Sequence, residues 1–338
     1  MLRRGKEQIR FRKFDIIIKV CCVNIFKRKR REETLLESQI DAFMQLYYYK
    51  ILDEAKIKMI LNSVRRKREY CNIFNACFPE FRMSIERFDS LVNTEQSEFY
   101  DYKIDGQIVG FAIVEDFAIR LICVKPDKQR SGIGSKLLGD IEKNLLDKGH
   151  TKIITGGISS RLFIGAVSES WKFFEKKGYQ SVGNCEEMLM DLKRFNIEDY
   201  RFHGHDIAEY GWFEGQIHEI HEAVASVEES WVQYFNNPKN IYVGRVDGEI
   251  ASFCLVDTNC QNYLTDVYGK VGMPGCVGAV PKYRNKGVAL EMVAKVTQYL
   301  KEQDMDISFI FFTGVARWYE KIGYESFLTE VFGEKNCK

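Results

Sequence analysis

The sequence predicts an α/β protein with a mixed sheet, built as two tandem copies of one domain. Three observations, each made twice and in the same order, predict it. A strand end runs through a basic, glycine-containing turn into an amphipathic helix at Val124–Leu138 (VKPDKQRSGIGSKLL) and again at Val280–Val293 (VPKYRNKGVALEMV). Upstream of each turn, two alternating apolar runs are joined by Asp105-Gly106 and by Asp247-Gly248, a tight-hairpin signal because glycine accepts the positive φ of a primed turn. Downstream, FFEKKGY (173–179) and WYEKIGY (318–324) each read as a short aromatic helix stopped by glycine and followed by a strand. The copies are offset by 142, 155 and 145 residues at these three features, so loops have drifted in length while elements persist.

The elements follow in order. Residues 1–37 form a basic arm, and helices run through about 38–68. Residues 71–92 read as helix, turn at Pro79, helix, with Ser84 and Asp89 giving a loose cap signal. The first hairpin, a strand at 117–124 and a helix from about Gly132 to Asp147 come next. Ile133, Leu137, Leu138, Ile141, Leu145 and Leu146 are placed on one stripe of that helix, and Gly149 stops it. A strand follows at Lys152–Thr155. The second copy has a helical stretch from about Gln216 to Phe235, then its hairpin and a longer loop over Thr258–Met273. Its turn opens a helix from about Lys286 to Gln303, carrying Val288, Met292, Val296, Tyr299 and Leu300. Domain boundaries are expected at 38–196 and 197–338.

Length and composition agree. A chain of 338 residues with 45% hydrophobic content suits about two well-packed domains. Ten cysteines lack a Cys-x-x-Cys pair and no secretory leader is visible, which predicts reduced, mostly buried thiols and a cytoplasmic location. The apolar run at residues 16–26 is too short for a bilayer and contains Lys19. The net charge of +1 conceals an asymmetry: residues 1–32 hold twelve Lys/Arg against three acids, leaving −8 for the remainder. The arm reads as a solvated extension, with contact to nucleic acid or an anionic membrane surface as the sharper alternative.

The repeated turn is where the chemistry lies. A strand feeding a glycine-bearing turn at a helix start leaves N–H groups unpaired, and the helix dipole adds positive potential. Such a site suits a diphosphate. Gly132 and Gly134 let the backbone approach an oxygen closely. Gln129, Arg130 and Ser131 are candidate further donors, as are Arg284, Asn285 and Lys286 in the second copy. The pattern lacks the Gly-Lys-Ser/Thr ending of a nucleotide P-loop and the Gly-x-Gly-x-x-Gly of a dinucleotide fold. An ordinary strand–helix turn with a capping glycine is the plain alternative, weakened by the duplication.

These residues resemble the GNAT superfamily of acyl-CoA-dependent N-acetyltransferases over roughly 70–335. The family's Gln/Arg-x-x-Gly-x-Gly/Ala stands here as Gln129-Arg130-Ser131-Gly132-Ile133-Gly134 and as Arg284-Asn285-Lys286-Gly287-Val288-Ala289. Its later aromatic-Tyr motif stands as the two aromatic–glycine–tyrosine segments. The resemblance implies acetyl-CoA as cofactor, held by these turns with Ser135, and a sheet splayed at the strand before each turn. The pantetheine would lie along Ile122, Cys123 and Val124 or along Gly278, Ala279 and Val280. It implies transfer of an acetyl group to a primary amine of a small molecule. The family's tyrosine proton donor to the leaving thiolate is Tyr319 in the second copy, where the first has Phe174. The second copy is therefore expected to be catalytic with Tyr319 as general acid and the first to be a CoA-binding or structural partner, with a core aromatic beside Trp318 as the plainer reading of Tyr319. Where some members carry a glutamate base, four residues before the strand's final valine, this chain has Arg120 and Cys276. A water-mediated route, or Asp266, Glu228 or Glu229, stands as the alternative base.

Other signals carry less. His203, His205, His218 and His221 lie close together, but no thiol or carboxylate spacing completes a zinc pattern, and no metal is expected. The aromatic cluster from Tyr210 to Phe235 reads as core and domain-interface packing, part of it a candidate acceptor pocket. A non-catalytic CoA-binding sensor or scaffold, and a modifier of nucleic-acid-associated substrates acting through the arm, remain as functional alternatives. The acceptor and the oligomeric state are not legible.

Overall fold

A computed structural model of the protein describes residues 54–157 and 162–337, so the basic arm lies outside the described residues. The chain divides into two compact units, 1–66 and 67–338. The described part of the first is residues 54–66, the opening turns of helix α1 (Glu54–Cys77). The second unit holds all the remaining described residues, including both copies of the repeat.

Where a break was expected near residue 68, α1 continues to Cys77, and a 3-10 turn at Pro79–Phe81 ends the run. Helix α2 (Ile85–Val92) is capped by Ser84, whose side chain accepts from Arg87 N. The first hairpin is β1 (Ser97–Ile104) and β2 (Gln107–Glu115), turned at Asp105 and Gly106 with φ of 49° and 77°. Strand β3 (Ala118–Val124) leads through the turn to α3 (Ile133–Asp147) and β4 (Lys152–Thr155). On α3 the expected stripe is buried from Ile133 to Leu145, but Leu146 is exposed. At about 100° per residue Leu146 rotates off the stripe that Leu145 shares. The short β5 (Ala166–Val167), helix α4 (Trp171–Glu175) and β6 (Gln180–Asp191) complete the first copy.

The second copy begins with an edge strand that sequence reading missed, β7 (Glu209–Trp212), short and interrupted by Gly211. The stretch expected as one helix over 216–235 is instead α5 (Ile217–Ala225) followed by a 3-10 segment at Glu229–Tyr234. Glu228 sits in extended backbone and its carboxylate accepts from Ser230 N, starting a new turn instead of prolonging the old one. The hairpin is β8 (Ile241–Val246) and β9 (Glu249–Asp257). The longer loop contains α6 (Thr265–Tyr268), and β10 (Val271–Ala279) feeds the second turn. Then follow α7 (Val288–Glu302), β11 (Ile307–Thr313), α8 (Ala316–Tyr319) and β12 (Glu325–Asn336).

The twelve strands of the described residues join one mixed sheet in the order β1-β2-β3-β4-β12-β6-β11-β10-β9-β8-β7, with β5 pairing onto β12. The centre of this order exchanges strands between the copies. β12, from the second copy, pairs antiparallel with β4 of the first. β6, from the first copy, pairs antiparallel with β11 of the second. The exchanged strands then pair with each other from Glu325↔Leu189 to Glu334↔Gln180. Each copy's last strand therefore completes the sheet of the other.

Among the described residues only β3–β4 and β10–β11 are parallel, and each keeps just two paired positions: Ala118↔Ile154 with Ile119↔Thr155, and Val271↔Ile307 with Gly272↔Ser308. Beyond these the strands diverge, producing two matched splays. Apolar clusters fill both faces. One joins α1 and α2 to β2 and β3 and includes Tyr263, Leu264, Phe309 and Leu328 from the second copy. Another packs α7 against Met188, Met190, Tyr319 and Tyr324. Among the described residues all eight cysteines are free thiols, four buried and four partly buried. No described helix is long and apolar enough to cross a membrane.

Candidate active site

Both turns adopt the same backbone. Gly132 and Gly287 are the N-cap residues of α3 and α7, with φ of 88° and 80°. Two residues earlier, Arg130 and Asn285 also have positive φ, 58° and 62°. Left-handed residues alternating at a helix start turn successive N–H groups toward one point, a concavity suited to an anion. Gln129 through Gly132 and Arg284 through Gly287 are exposed, while Ile133 and Val288 anchor the helices inside.

The first side chain of each turn has a shared task. Gln129 Nε2 donates to Val124 O at 3.0 Å, and Arg284 Nε donates to Ala279 O at 3.2 Å. Both tie the turn back to the strand end five residues earlier. Ser131 Oγ donates to Lys128 O at 2.6 Å. The candidate donors at Gln129 and Ser131 thus support the loop. Gly134 has room for a methyl group, since an added Cβ would lie 3.6 Å from the Phe173 ring. Ala289 at the matching place is therefore no steric departure.

A cavity of about 460 Å³ opens at the first turn and runs into the splay between β3 and β4. Its mouth is lined by Gln129, Arg130, Gly132, Gly134 and Ser135, and its depth by Ile119, Leu121, Ile122 and Val124 on one side. Phe163, Gly165, Ala166 and Val167 form the opposite wall, with Phe173 and Phe174 between. The size lies within the usual range of small-ligand sites, and the apolar throat with a polar mouth fits a long acyl-thioester arm ending in a diphosphate. Of the predicted cofactor residues on this side, Cys123, Ser131 and Ile133 do not line it: Ser131 is exposed, Ile133 is in the core, and Cys123 is buried beside Cys77, whose thiol donates to Val124 O at 3.2 Å.

The second turn is more closely attended by its own chain. Glu291, almost fully buried, accepts from His205 N at 2.8 Å. A Cβ on Gly287 would lie 3.7 Å from Gly204 N, and Tyr210 Oη donates to Val288 O at 3.2 Å. Gly278 packs directly under Phe253, because an added Cβ would lie 2.2 Å from that ring. Ala279 and Val280 are half-buried, and Val280 N donates to Ala251 O.

Tyr319 is 6% exposed and packs against Trp318 and Tyr324. Burial, then the neighbouring Tyr324, Cys254 and Cys276, pushes its hydroxyl well above the ordinary tyrosine value. The group is held protonated. Its first-copy counterpart, Phe174, lines the cavity.

The positions replacing the family's glutamate are both irregular. Arg120 is the extra residue where β3 shifts register against β2, and Cys276 lies in the shift between β10 and β9 with φ of 47°. Arg120 lines the cavity and forms a buried ion pair with Glu115, which also accepts from Thr94 Oγ1 and Ser97 Oγ. Burial lowers the Arg120 guanidinium, and Glu115 opposes that loss. This pair, a bulge that aims a charge into a cleft, was visible in sequence only as a departure at Arg120. The candidate base Asp266 accepts from Ser84 N at 2.7 Å and Arg87 Nε at 2.7 Å. Although burial raises its pKa, these bonds outweigh that effect and lower it overall, so Asp266 holds α2 in place as a carboxylate. Glu228 is tied to Ser230, and His221 Nε2 lies 3.0 Å from Phe235 O.

Two family models, each described as an acetyltransferase (GNAT) domain, match residues 66–188 and 205–327. No curated protein matches the chain. Among solved structures, the chain is similar to a GCN5-related glucosamine N-acetyltransferase region in a fungal multi-domain GH3 β-N-acetylglucosaminidase, at 17% identity and a TM-score of 0.65. That match covers 80% of this chain and 37% of the other, so the chain spans little more than a third of that protein. A GCN5-related N-acetyltransferase from Sphaerobacter thermophilus is 16% identical, covering 79% and 91% of the two chains with a TM-score of 0.59. A tandem GNAT protein from the clavulanic acid biosynthesis pathway is 11% identical, covering 80% and 95% with a TM-score of 0.51. At such identities the likeness concerns the fold.

Proposed function

Since the chain belongs to the GNAT acetyltransferase family, we propose that it moves an acetyl group from acetyl-CoA to a primary amine of a small molecule, with the cofactor seated in the first copy. The observation that carries this reading is the cavity joining the Gln129–Ser135 turn to the β3–β4 splay. The turn amides would hold the diphosphate, and Ile122–Val124 would flank the pantetheine. The bound cofactor supplies an activated acyl carbon and a thiolate leaving group. The neutral amine attacks that carbon, the C–S bond breaks, and the amine's proton must leave while the thiolate gains one. Arg120 with Glu115 sits at the depth of the cleft, and Thr155, Ser135 and Ser170 supply hydroxyls along it.

A second reading, favoured by the tyrosine that the aromatic motif at Trp318–Tyr319 carries where the first copy has Phe174, places transfer in the second copy with Tyr319 as general acid. Calorimetry with coenzyme A and thiol release from acetyl-CoA across an amine panel separate the two. The panel includes glucosamine, the acceptor of one structural neighbour. First-copy chemistry is lost in Gly132→Val and survives Gly287→Val and Tyr319→Phe; second-copy chemistry shows the reverse. A silent panel with intact CoA binding would indicate a non-catalytic sensor. Deletion of residues 1–32 tests nucleic-acid contact through the salt dependence of RNA binding.

A further inference from the structure

The strand-exchange seam buries two carboxyl groups that the transfer reaction does not use. Glu187 on β6 and Glu330 on β12 are both fully buried on strands that pair with each other, and the charge of Glu330 bears on Glu187. Glu330 Oε1 accepts from Ile164 N at 2.9 Å and from Gly165 N at 3.3 Å. Glu187 Oε2 accepts from Tyr263 Oη, in the longer loop of the second copy. Two ionised carboxylates cannot stay in contact in a dry interior, so the pair keeps a proton. Donor accounting locates it. Glu330 already receives two main-chain N–H groups, whereas Glu187 Oε1 is buried with no donor aimed at it among the described residues. Glu187 is therefore the group that stays an acid, and Glu330 is the one that is a carboxylate above neutral pH. The other titratable group facing Glu330 is Cys185 of β6, whose Sγ lies 3.9 Å from Glu330 Oε2 and is kept protonated by burial. Glu186 reaches Cys185 only through its field.

We infer that Glu330 is a positioning residue of the cofactor cleft: as a carboxylate sharing one proton with Glu187, it holds the cleft wall at Phe163–Val167 through the main-chain N–H groups of Ile164 and Gly165. This rests on the assignment of the first-copy cleft to acetyl-CoA. The wall has no slack to absorb a shift of that carboxylate. Gly157 N donates to Ile164 O at 3.1 Å, and a Cβ on Gly156 would lie 1.9 Å from the same oxygen. On the other side, a Cβ on Gly165 would lie 3.0 Å from Val331 O. Movement of Glu330 therefore passes to Phe163, Gly165 and Val167, which line the cavity. The acid partner belongs to the same seam, and its tyrosine donor comes from the second copy, so the second copy sets the first copy's cofactor wall.

The test uses the full chain with coenzyme A as probe, reading hydrogen exchange over 162–167 without ligand and affinity by calorimetry from about pH 6 to about pH 10. Glu330→Gln retains shape but loses charge at the two amides. It is expected to speed exchange at Ile164 and Gly165 and to weaken CoA binding by about tenfold. Glu187→Gln donates from its amide at every pH, so it should abolish the loss of affinity that wild type shows when the shared proton leaves at alkaline pH. A merely structural role would lower melting temperature without altering that pH profile. Unchanged exchange in Glu330→Gln, or faster exchange with unchanged CoA affinity, overturns the inference. If Glu330→Gln does not fold, an alkaline limb persisting in Glu187→Gln overturns it. Failure of wild type to bind CoA sinks the cofactor assignment and the cleft role together, whereas normal binding by wild type and Glu330→Gln alike sinks the positioning role alone.

Discussion

At the scale of single residues, glycines divide into those required by backbone and those required by neighbours. Gly132 is required by its φ of 88°, since an added Cβ would meet nothing within 4 Å. Gly132→Val should cost about 1–2 kcal/mol through backbone strain alone and, in the first-copy reading, abolish measurable CoA binding. Gly287→Val should carry a similar stability cost and spare CoA binding, a contrast that thermal melts and calorimetry on both variants resolve. Gly134→Ala should change stability by less than about 0.5 kcal/mol, because the site accepts a methyl without displacement. Gly278 is the opposite case: Gly278→Ala drives a methyl into the Phe253 ring and should cost about 1–3 kcal/mol in denaturant titrations. The sequence displayed all four glycines but could not sort them. Turn geometry is local and legible, whereas the ring above Gly278 comes from a neighbouring strand.

Among elements, β12 and β6 decide most. β12 lies between β4 and β6, so it supplies backbone partners to both copies. Its Gly333 makes room for Trp171 of the first copy, where an added Cβ would lie 2.5 Å from the ring. Truncation after Tyr324 should therefore abolish cooperative unfolding of the whole described unit, leaving no folded first copy behind. A truncated protein whose first copy still melts cooperatively and binds CoA would contradict this. Strands, turns and the α3 and α7 stripes were readable because their signals repeat at 2.0 or 3.6 residues. The exchange was not readable: strand periodicity states which face is buried and is silent on which strand lies alongside. β7 and the broken 216–235 stretch were missed for a related reason, since four residues and a single carboxylate turn carry little pattern.

For the molecule as a whole, the carboxyl pair ties stability to pH. Burial pushes Glu330 up to about 7 against the opposing pull of the Gly165 and Ile164 amides. Burial, reinforced by the Glu330 charge, pushes Glu187 well above the usual carboxylate range. The folded state thus keeps protons that the unfolded chain releases near 4.5. The Glu330 contribution is full below that pH and is lost as pH rises through about 7, whereas the Glu187 proton is retained further up. Each retained proton contributes a slope of about 1.4 kcal/mol per pH unit within that window. Melting temperature should fall as pH rises from the acid side toward neutrality, and Glu330→Gln should flatten that fall. A curve with the same slope in wild type and variant would count against a shared proton.

By itself, the chain's residue order determined the duplicated mixed α/β plan, the two glycine turns at helix starts and the acetyltransferase family, because hairpins, caps and stripes are written in neighbours a few positions apart. Only the tertiary structure decided that the copies trade their last strands, that a cleft of ligand size opens at the first turn, and that Arg120–Glu115 and Glu187–Glu330 meet inside. Those outcomes depend on groups as distant in the chain as Lys152 and Asn336, which pair across β4 and β12. Their pairing is chosen by burial and charge balance across a shared sheet, and no local pattern records it.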